Sequence, residues 1–161
     1  MDIELLKWME EFVEKPNPLL GNWMPCPFAR KARLANKIAI VEGQDAYSDS
    51  LSDLDWNKKD VYVFWYPTEK YTGKEITDLT EKLNQKLMPK NIVVLDDHPN
   101  NVETINGVCM NFGQATLLIV QKLDELNSAS EQLKEKGYYD KWSTHNLAEV
   151  VDWRYKYHNV R

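Results

Sequence analysis

Two continuous apolar segments set the fold class of this chain. Residues 92–95 and 116–120 consist almost entirely of aliphatic side chains, and such short runs are typical of strands that are covered on both faces. Residues 37–42 and 61–66 form two further predicted strands, the second of which is dense in aromatic and β-branched residues. Because residues 92–95 are so uniformly apolar, we expect them to form a central strand.

Helical patterns lie between these strands. The segment 72–88 repeats its apolar residues at helical spacing, and Thr72 with Glu75 matches a capping box at its start. Asp124 is a predicted cap for another helix, which Gly137 closes. The long polar connections between the elements, 43–59 and 97–114, are longer than is usual in compact domains and are therefore candidates for functional loops.

The predicted order is β-β-α-β-β-α, with an additional helix over residues 3–15 and another from Asn146 to about residue 157. Two halves of this type indicate an α+β fold, a ferredoxin-like sandwich with its helices on one face of a mixed sheet. The alternative is a thioredoxin-like sheet, which normally has a strand before the cysteine-bearing helix, where this chain has none. The length of 161 residues predicts a single domain, 1–161.

Composition narrows the classes of partner. A net charge of −5 argues against general binding to nucleic acid or to anionic membranes. No apolar run approaches the roughly 20 residues that cross a bilayer, and the first residues lack a basic region and an apolar signal core. We therefore expect a cytoplasmic protein, with a small-molecule ligand and a homodimer as the partners to test. The cofactor is unknown at this point.

Cys26 is the most chemically suggestive residue. It lies between Pro25 and Pro27 at the predicted N-cap of a helix, and Arg30, Lys31 and Arg33 follow within two turns. A helix N-terminus and nearby cations favour the thiolate, which predicts a nucleophilic or redox-active thiol. The alternative is a buried, inert cysteine, since a free cysteine often packs as a small hydrophobe. Cys109 is the other cysteine, and whether the two pair is left open.

His98 is the candidate partner for this thiol. It follows the apolar segment 92–95, and Asp96 or Asp97 could orient one ring nitrogen and leave the other as an acid, a base or a ligand. A Cys26–His98 pair would supply a nucleophile and its base, provided that the two segments meet. The alternative is a turn, because aspartate, proline and asparagine surround His98 and are favoured there.

Other patterns are weaker. A metal site could combine Cys26, Asp96, Asp97 and His98 with His145 or His158, although the chain lacks the paired ligand spacings typical of metal centres. Residues 153–158 alternate aromatic and cationic side chains, which predicts a terminal helix that docks its aromatic face, with binding of a partner or a single-stranded nucleic acid as the alternative.

The segment Cys26-Pro27-Phe28-Ala29, followed later by His98-Pro99, resembles a family of small bacterial proteins of unknown function. Those proteins are similar in having an N-terminal helix before the Cys-Pro-Phe-Ala segment and an apolar strand that ends near His-Pro. The resemblance implies only that Cys26 and His98 belong to one shared framework, and it brings no activity with it.

Three functional hypotheses follow. The first is a small enzyme in which Cys26 is the nucleophile or redox thiol, His98 the base and Asp97 or Asp96 its orienting group. In this enzyme Arg30, Arg33 and Trp23 would bind a small anionic substrate. The second is a non-catalytic ferredoxin-like module that binds a ligand or a protein. The third is a metal-dependent enzyme centred on His98.

Overall fold

The strands form one mixed sheet and one small hairpin in a computed structural model, which describes residues 1–155. The strands are β1 (Ile38–Glu42), β2 (Val61–Tyr66), β3 (Ile92–Asp97), β4 (Thr104–Ile105), β5 (Val108–Cys109) and β6 (Thr116–Lys122). The sheet has the order β1-β2-β6-β3, with β1 parallel to β2 and β6 antiparallel to both β2 and β3. The short strands β4 and β5 pair with each other.

The helices connect and cover this sheet. They are α1 (Asp2–Trp8), α2 (Ala29–Leu34), α3 (Gly73–Leu87), α4 (Leu123–Glu135) and α5 (Thr144–Val150). A π-helical turn, Met9–Val13, continues α1, and a 3₁₀ turn, Asp152–Arg154, follows α5. The predicted capping box is present at the start of α3: the Thr72 hydroxyl accepts from the Glu75 N–H, and the Glu75 carboxylate accepts from the Thr72 N–H. No helix in residues 1–155 is long and apolar enough to cross a membrane.

The mixed α+β class is confirmed, whereas the strand order does not confirm the ferredoxin-like topology. Each predicted core element is present in the predicted sequence order, and β2 and β3 run parallel with β6 between them. The difference lies in β1, which pairs parallel with β2.

Helices cover both faces of the sheet, so the expectation of helices on one face is wrong. On one face Phe64 and Tyr66 of β2 pack in a core with Ile76 of α3. On the other face Val63 packs with Leu5 of α1. Because β2 is apolar on both sides, each of its faces requires a covering helix.

The strand β3 lies at the edge of the sheet, so its predicted central position is also wrong. Its uniform apolar character has another cause: α3 covers one side and Leu123 of α4 lies in the cluster around Val93 on the other. Its outer backbone is satisfied by a side chain, because Asn84 of α3 donates to the Val94 carbonyl and accepts from the Val94 N–H, both at 2.8 Å. We call this pair of hydrogen bonds the Asn84 clamp.

Glycine is required at position 43 and favoured at position 107, for different reasons. Gly43 follows β1 and lies against the ring of Tyr66, so that an added Cβ would overlap the ring. Gly107 and Asn106 form the turn between β4 and β5 with φ values of 81° and 50°. Positive φ at both central residues is the geometry of the tight hairpin turn that Asn-Gly favours.

Candidate functional site

The Cys26 segment is a rigid turn ahead of α2. The helix begins at Ala29 with Phe28 at its N-cap, so the prediction that Cys26 is the N-cap is wrong. Cys26 instead donates its backbone N–H to the Val13 carbonyl at 3.1 Å, and its carbonyl accepts from the Ala29 N–H at 3.2 Å. These backbone contacts, rather than a helix dipole, fix the position of the cysteine.

The surroundings of Cys26 favour the protonated thiol over the thiolate. Cys26 is free and keeps exposed surface, yet desolvation by the surrounding protein raises the pKa of its thiol. Hydrogen bonds from the Phe28 and Ala29 N–H groups act in the opposite direction but are the smaller effect, and the Glu14 carboxylate raises this pKa further. The cations after Cys26 were expected to act on its thiol, and the charge that acts on it is instead the negative charge of Glu14.

Arg33 explains why the cationic cluster does not act on the thiol. Its Nε and Nη2 donate to the Glu14 carboxylate at 2.7 and 2.8 Å, and its Nη1 lies 3.3 Å from Glu10. The Glu14 side chain is 4% exposed, so this two-pronged ion pair is largely shielded from water. Arg33 therefore joins α2 to the π-helical turn and has no free donor fork for a substrate.

Arg30 has a different environment from Arg33. It is exposed and has no ion pair among residues 1–155, and neither has its neighbour Lys31. Both line an open groove along α2, together with apolar or small side chains: Met24, Pro27, Leu34 and Ala35. We call this surface the α2 groove.

Trp23 belongs to an aromatic cluster and does not line the α2 groove. Its ring meets Tyr138 edge-on with centroids 5.5 Å apart, and its backbone pairs with Asn17. Tyr138 in turn meets Tyr139 edge-on and Trp142 at a tilted angle, and its hydroxyl donates to the Pro25 carbonyl at 2.7 Å. The cluster thus anchors the turn that contains Cys26.

His98 is buried, with 2% of its surface exposed, and both ring nitrogens are engaged by backbone groups. Nδ1 accepts from the Asn100 N–H at 3.0 Å, so the ring proton lies on Nε2, which donates to the Tyr71 carbonyl at 2.8 Å. A histidine with both ring nitrogens bound in this way holds a turn in place. This corresponds to the turn that the sequence analysis gave as the alternative to a catalytic base.

Asp97 does not orient His98. Its carboxylate accepts from the Phe112 N–H at 3.0 Å and from the Asn111 amide at 2.8 Å, so it fastens the loop that follows the hairpin. Burial raises the pKa of Asp97, and these two donors partly oppose that effect. The pKa of Asp96 is also raised, chiefly by desolvation.

Asn111 is the central residue of this loop and carries no sequence signal. Its amide nitrogen also donates to the backbone carbonyls of His98 and Asn101, and its oxygen accepts from the Glu103 N–H at 2.7 Å. Nothing in the spacing around Asn111 indicates this role, because its partners are distributed over the preceding loop.

The structure does not assemble the predicted nucleophile and base. The Cys26 turn is anchored to Val13 and Tyr138, whereas the His98 ring is bound by Tyr71 and Asn100, and no hydrogen bond in residues 1–155 joins the two predicted residues. Their catalytic roles stay predictions.

The described part of the chain does not bring together the side chains that the metal hypothesis requires. Residues 1–155 contain no group of three or more histidine, cysteine or acidic side chains that could hold an ion. His145 is exposed and lies 3.4 Å from Glu149, while His158 lies outside the described residues.

Comparisons with protein-family models, with curated proteins and with solved structures give no match to this chain. The resemblance around Cys26 and His98 therefore stays a prediction, and the site has to be argued from its own geometry.

Proposed function

We propose that this chain is a non-catalytic binding module whose α2 groove docks an acidic, partly apolar segment of a partner protein. The observation that supports this is the unpaired state of Arg30 and Lys31 beside the exposed side chain of Leu34. The chain as a whole carries a net charge of −5. An acidic partner is therefore repelled by the molecule as a whole and attracted at this groove.

The size of these interactions favours a protein segment over a small molecule. Leu34 is 65% exposed, and its burial would contribute about 1–2 kcal/mol. Each exposed charge pair contributes about 1 kcal/mol or less, so a small ligand in this open groove would bind at roughly millimolar concentration. A longer segment can add contacts along α2 and reach a useful affinity.

The enzyme hypothesis has less support. A base needs a free ring nitrogen, and both nitrogens of His98 are engaged by backbone groups. A nucleophilic thiol needs a lowered pKa, and the pKa of Cys26 is raised. The ferredoxin-like description, the homodimer and the cytoplasmic location remain predictions beside this proposal, as do both enzyme hypotheses.

The test uses fluorescence anisotropy with a labelled peptide composed of glutamate and leucine. The peptide should bind, and raising the salt concentration should weaken binding because exposed charges are screened. A double variant, Arg30→Glu with Lys31→Glu, should abolish binding. The matched control, Lys82→Glu with Lys86→Glu, makes the same change in net charge at exposed positions of α3 and should leave binding within about twofold of wild type.

Equal loss of binding in both double variants would reduce the effect to net charge and overturn the proposal. Binding of a lysine and leucine peptide with the same affinity would also overturn it. Sedimentation at rising protein concentration tests for self-association of the chain. If the chain self-associates and the double variant Arg30→Glu with Lys31→Glu does not, the groove binds a second copy of this chain rather than an acidic partner.

A further inference from the structure

Arg154 carries a buried charge that makes no direct ion pair in residues 1–155, although the Asp152 carboxylate, two residues earlier, acts on it electrostatically. It lies in the 3₁₀ turn after α5 and is 2% exposed. Its Nη2 donates to the Ser130 hydroxyl at 2.7 Å, and its Nε points at the Val151 carbonyl at 3.4 Å. Buried cations are normally paired with an anion, since transfer of a charge out of water is strongly unfavourable. The remaining guanidinium donors have no hydrogen-bond acceptor among residues 1–155.

Ser130 on α4 has a proton to donate as well. Its oxygen accepts from Arg154 and also from the Tyr139 hydroxyl at 3.2 Å. A serine hydroxyl has two acceptor positions and one donor. In this arrangement its own proton is free to turn toward a further acceptor or the carbonyl one helical turn earlier, and Ser130 is only 5% exposed to water.

Asn127 lies one turn earlier on the same buried face of α4. It is 3% exposed, and neither its amide nitrogen nor its oxygen has a hydrogen-bond partner in residues 1–155. Residues three apart on a helix are neighbours. Tyr155 donates its hydroxyl to the Asn127 carbonyl at 3.3 Å, so the C-terminal turn that carries Arg154 crosses α4 at this level.

We propose that α4 and the C-terminal turn form a binding site for a small oxyanion, the carboxylate or phosphate group of a ligand. The guanidinium of Arg154, the hydroxyl of Ser130 and the amide nitrogen of Asn127 are its donors. In this cluster unused donors exceed unused acceptors, and one donor carries a full charge. A water molecule could satisfy some of these groups but would bring no negative charge to Arg154, whose only acidic influence in residues 1–155 is the Asp152 carboxylate, which makes no direct ion pair with it. The site shares no residue with the α2 groove and stands independently of the function proposed for it.

Arginine side-chain spectra test this site on the intact chain. The arginines are Arg30, Arg33, Arg154 and Arg161, so the Nε–H signals of a ¹⁵N-labelled sample are few, and Arg154→Met assigns the one of interest. Titration with acetate and, separately, with inorganic phosphate should move the Arg154 signal saturably, whereas chloride at equal ionic strength should not. Arg33, already bound to Glu14, is the internal control and should stay in place. A response to only one of the two oxyanions would identify the group that the site accepts.

Two variants sharpen the result. Ser130→Ala removes one donor and should weaken binding about tenfold, as expected for a hydrogen bond to a charged group. Asn127→Asp supplies a carboxylate on the same buried face of α4 as Ser130 and should abolish the response to added oxyanion. An Arg154 signal that moves equally with chloride, or a response that Asn127→Asp and Ser130→Ala both leave unchanged, would overturn the proposal. The Arg30 signal reports separately on the α2 groove, so failure at one site is distinguishable from failure at the other.

Discussion

Replacement of His98 by alanine should destabilise the protein severely, because the ring links two backbone segments inside the core. The variant loses the hydrogen bonds to the Tyr71 carbonyl and the Asn100 N–H. Leaving these groups unpaired costs about 1–3 kcal/mol each, and the cavity left by the ring adds roughly 1–2 kcal/mol. The expected loss is therefore about 3–8 kcal/mol, a large part of the 5–15 kcal/mol typical of a domain.

Urea unfolding followed by tryptophan fluorescence measures this loss, and the same substitution at His145 is the matched control. His145 is exposed and interacts only with Glu149 one turn away, so His145→Ala should change the free energy of unfolding by less than about 0.5 kcal/mol. His98→Asn can keep an acceptor near the Asn100 N–H and should lose roughly half as much as His98→Ala, which provides a measurement if the alanine variant does not fold. A loss below about 1 kcal/mol for His98→Ala would refute the structural role and return His98 to consideration as a catalytic base.

The remaining predictions concern Gly43, Cys26 and Glu14. Gly43→Ala should lower the free energy of unfolding by at least about 2 kcal/mol, because its Cβ would overlap the Tyr66 ring. Gly107→Ala meets open space and should lower it by only about 1 kcal/mol, because of the positive φ. Equal losses for the two variants in urea unfolding would contradict the overlap. In a Cys109→Ser background, Cys26 should react with iodoacetamide at neutral pH more slowly than a peptide thiol, because a raised pKa lowers the thiolate fraction. Faster alkylation of Cys26 than of the peptide would revive the nucleophile hypothesis. Because the pKa of Cys26 is higher in the folded state than in the unfolded state, the folded state keeps the thiol proton to a higher pH. The free energy of unfolding, measured relative to Cys26→Ser, should therefore fall as alkaline pH rises through the folded pKa. Glu14→Gln should lower the free energy of unfolding by about 2–3 kcal/mol, because it breaks the shielded ion pair with Arg33. Glu10→Gln changes an exposed carboxylate and should lower it by less than about 0.5 kcal/mol. Similar losses for the two variants in urea unfolding would show that burial of Glu14 does not matter.

The helices and strands were predictable because their signals are local. The capping box of α3 and the end of α4 near Gly137 follow from residues only a few positions apart. The hairpin turn at Asn106-Gly107 lies within residues 97–114, which the sequence analysis treated as a loop, so this turn was missed although Asn-Gly is the strongest short signal for it.

The sheet order was not predictable, because it depends on contacts far apart in sequence. Uniformly apolar residues in β3 indicated two covered faces, which is correct, but they gave no information on neighbours within the sheet. The side chain that satisfies its outer edge is Asn84, a single polar residue ten positions before Val94. Nothing in the local pattern distinguishes it from an ordinary helix residue.

The candidate site failed in prediction for the same reason. The cations after Cys26 were visible in sequence, but Glu14, nineteen positions before Arg33, decides which of them is free. Arg30 and Lys31 lack such a partner in the described residues, and only the three-dimensional arrangement separates them from Arg33.

The Asn84 clamp makes the two edges of the sheet differ in their ability to pair with another strand. At β3 the outer N–H and carbonyl of Val94 are already occupied, whereas the outer side of β1 pairs with no other strand in residues 1–155. Adding copies head to tail, β1 against β3, would generate an open filament, but it requires two free edges. The Asn84 clamp occupies the middle of the β3 edge, so a strand could be added there only if the clamp opened. A single buried amide therefore opposes growth of the sheet through β3.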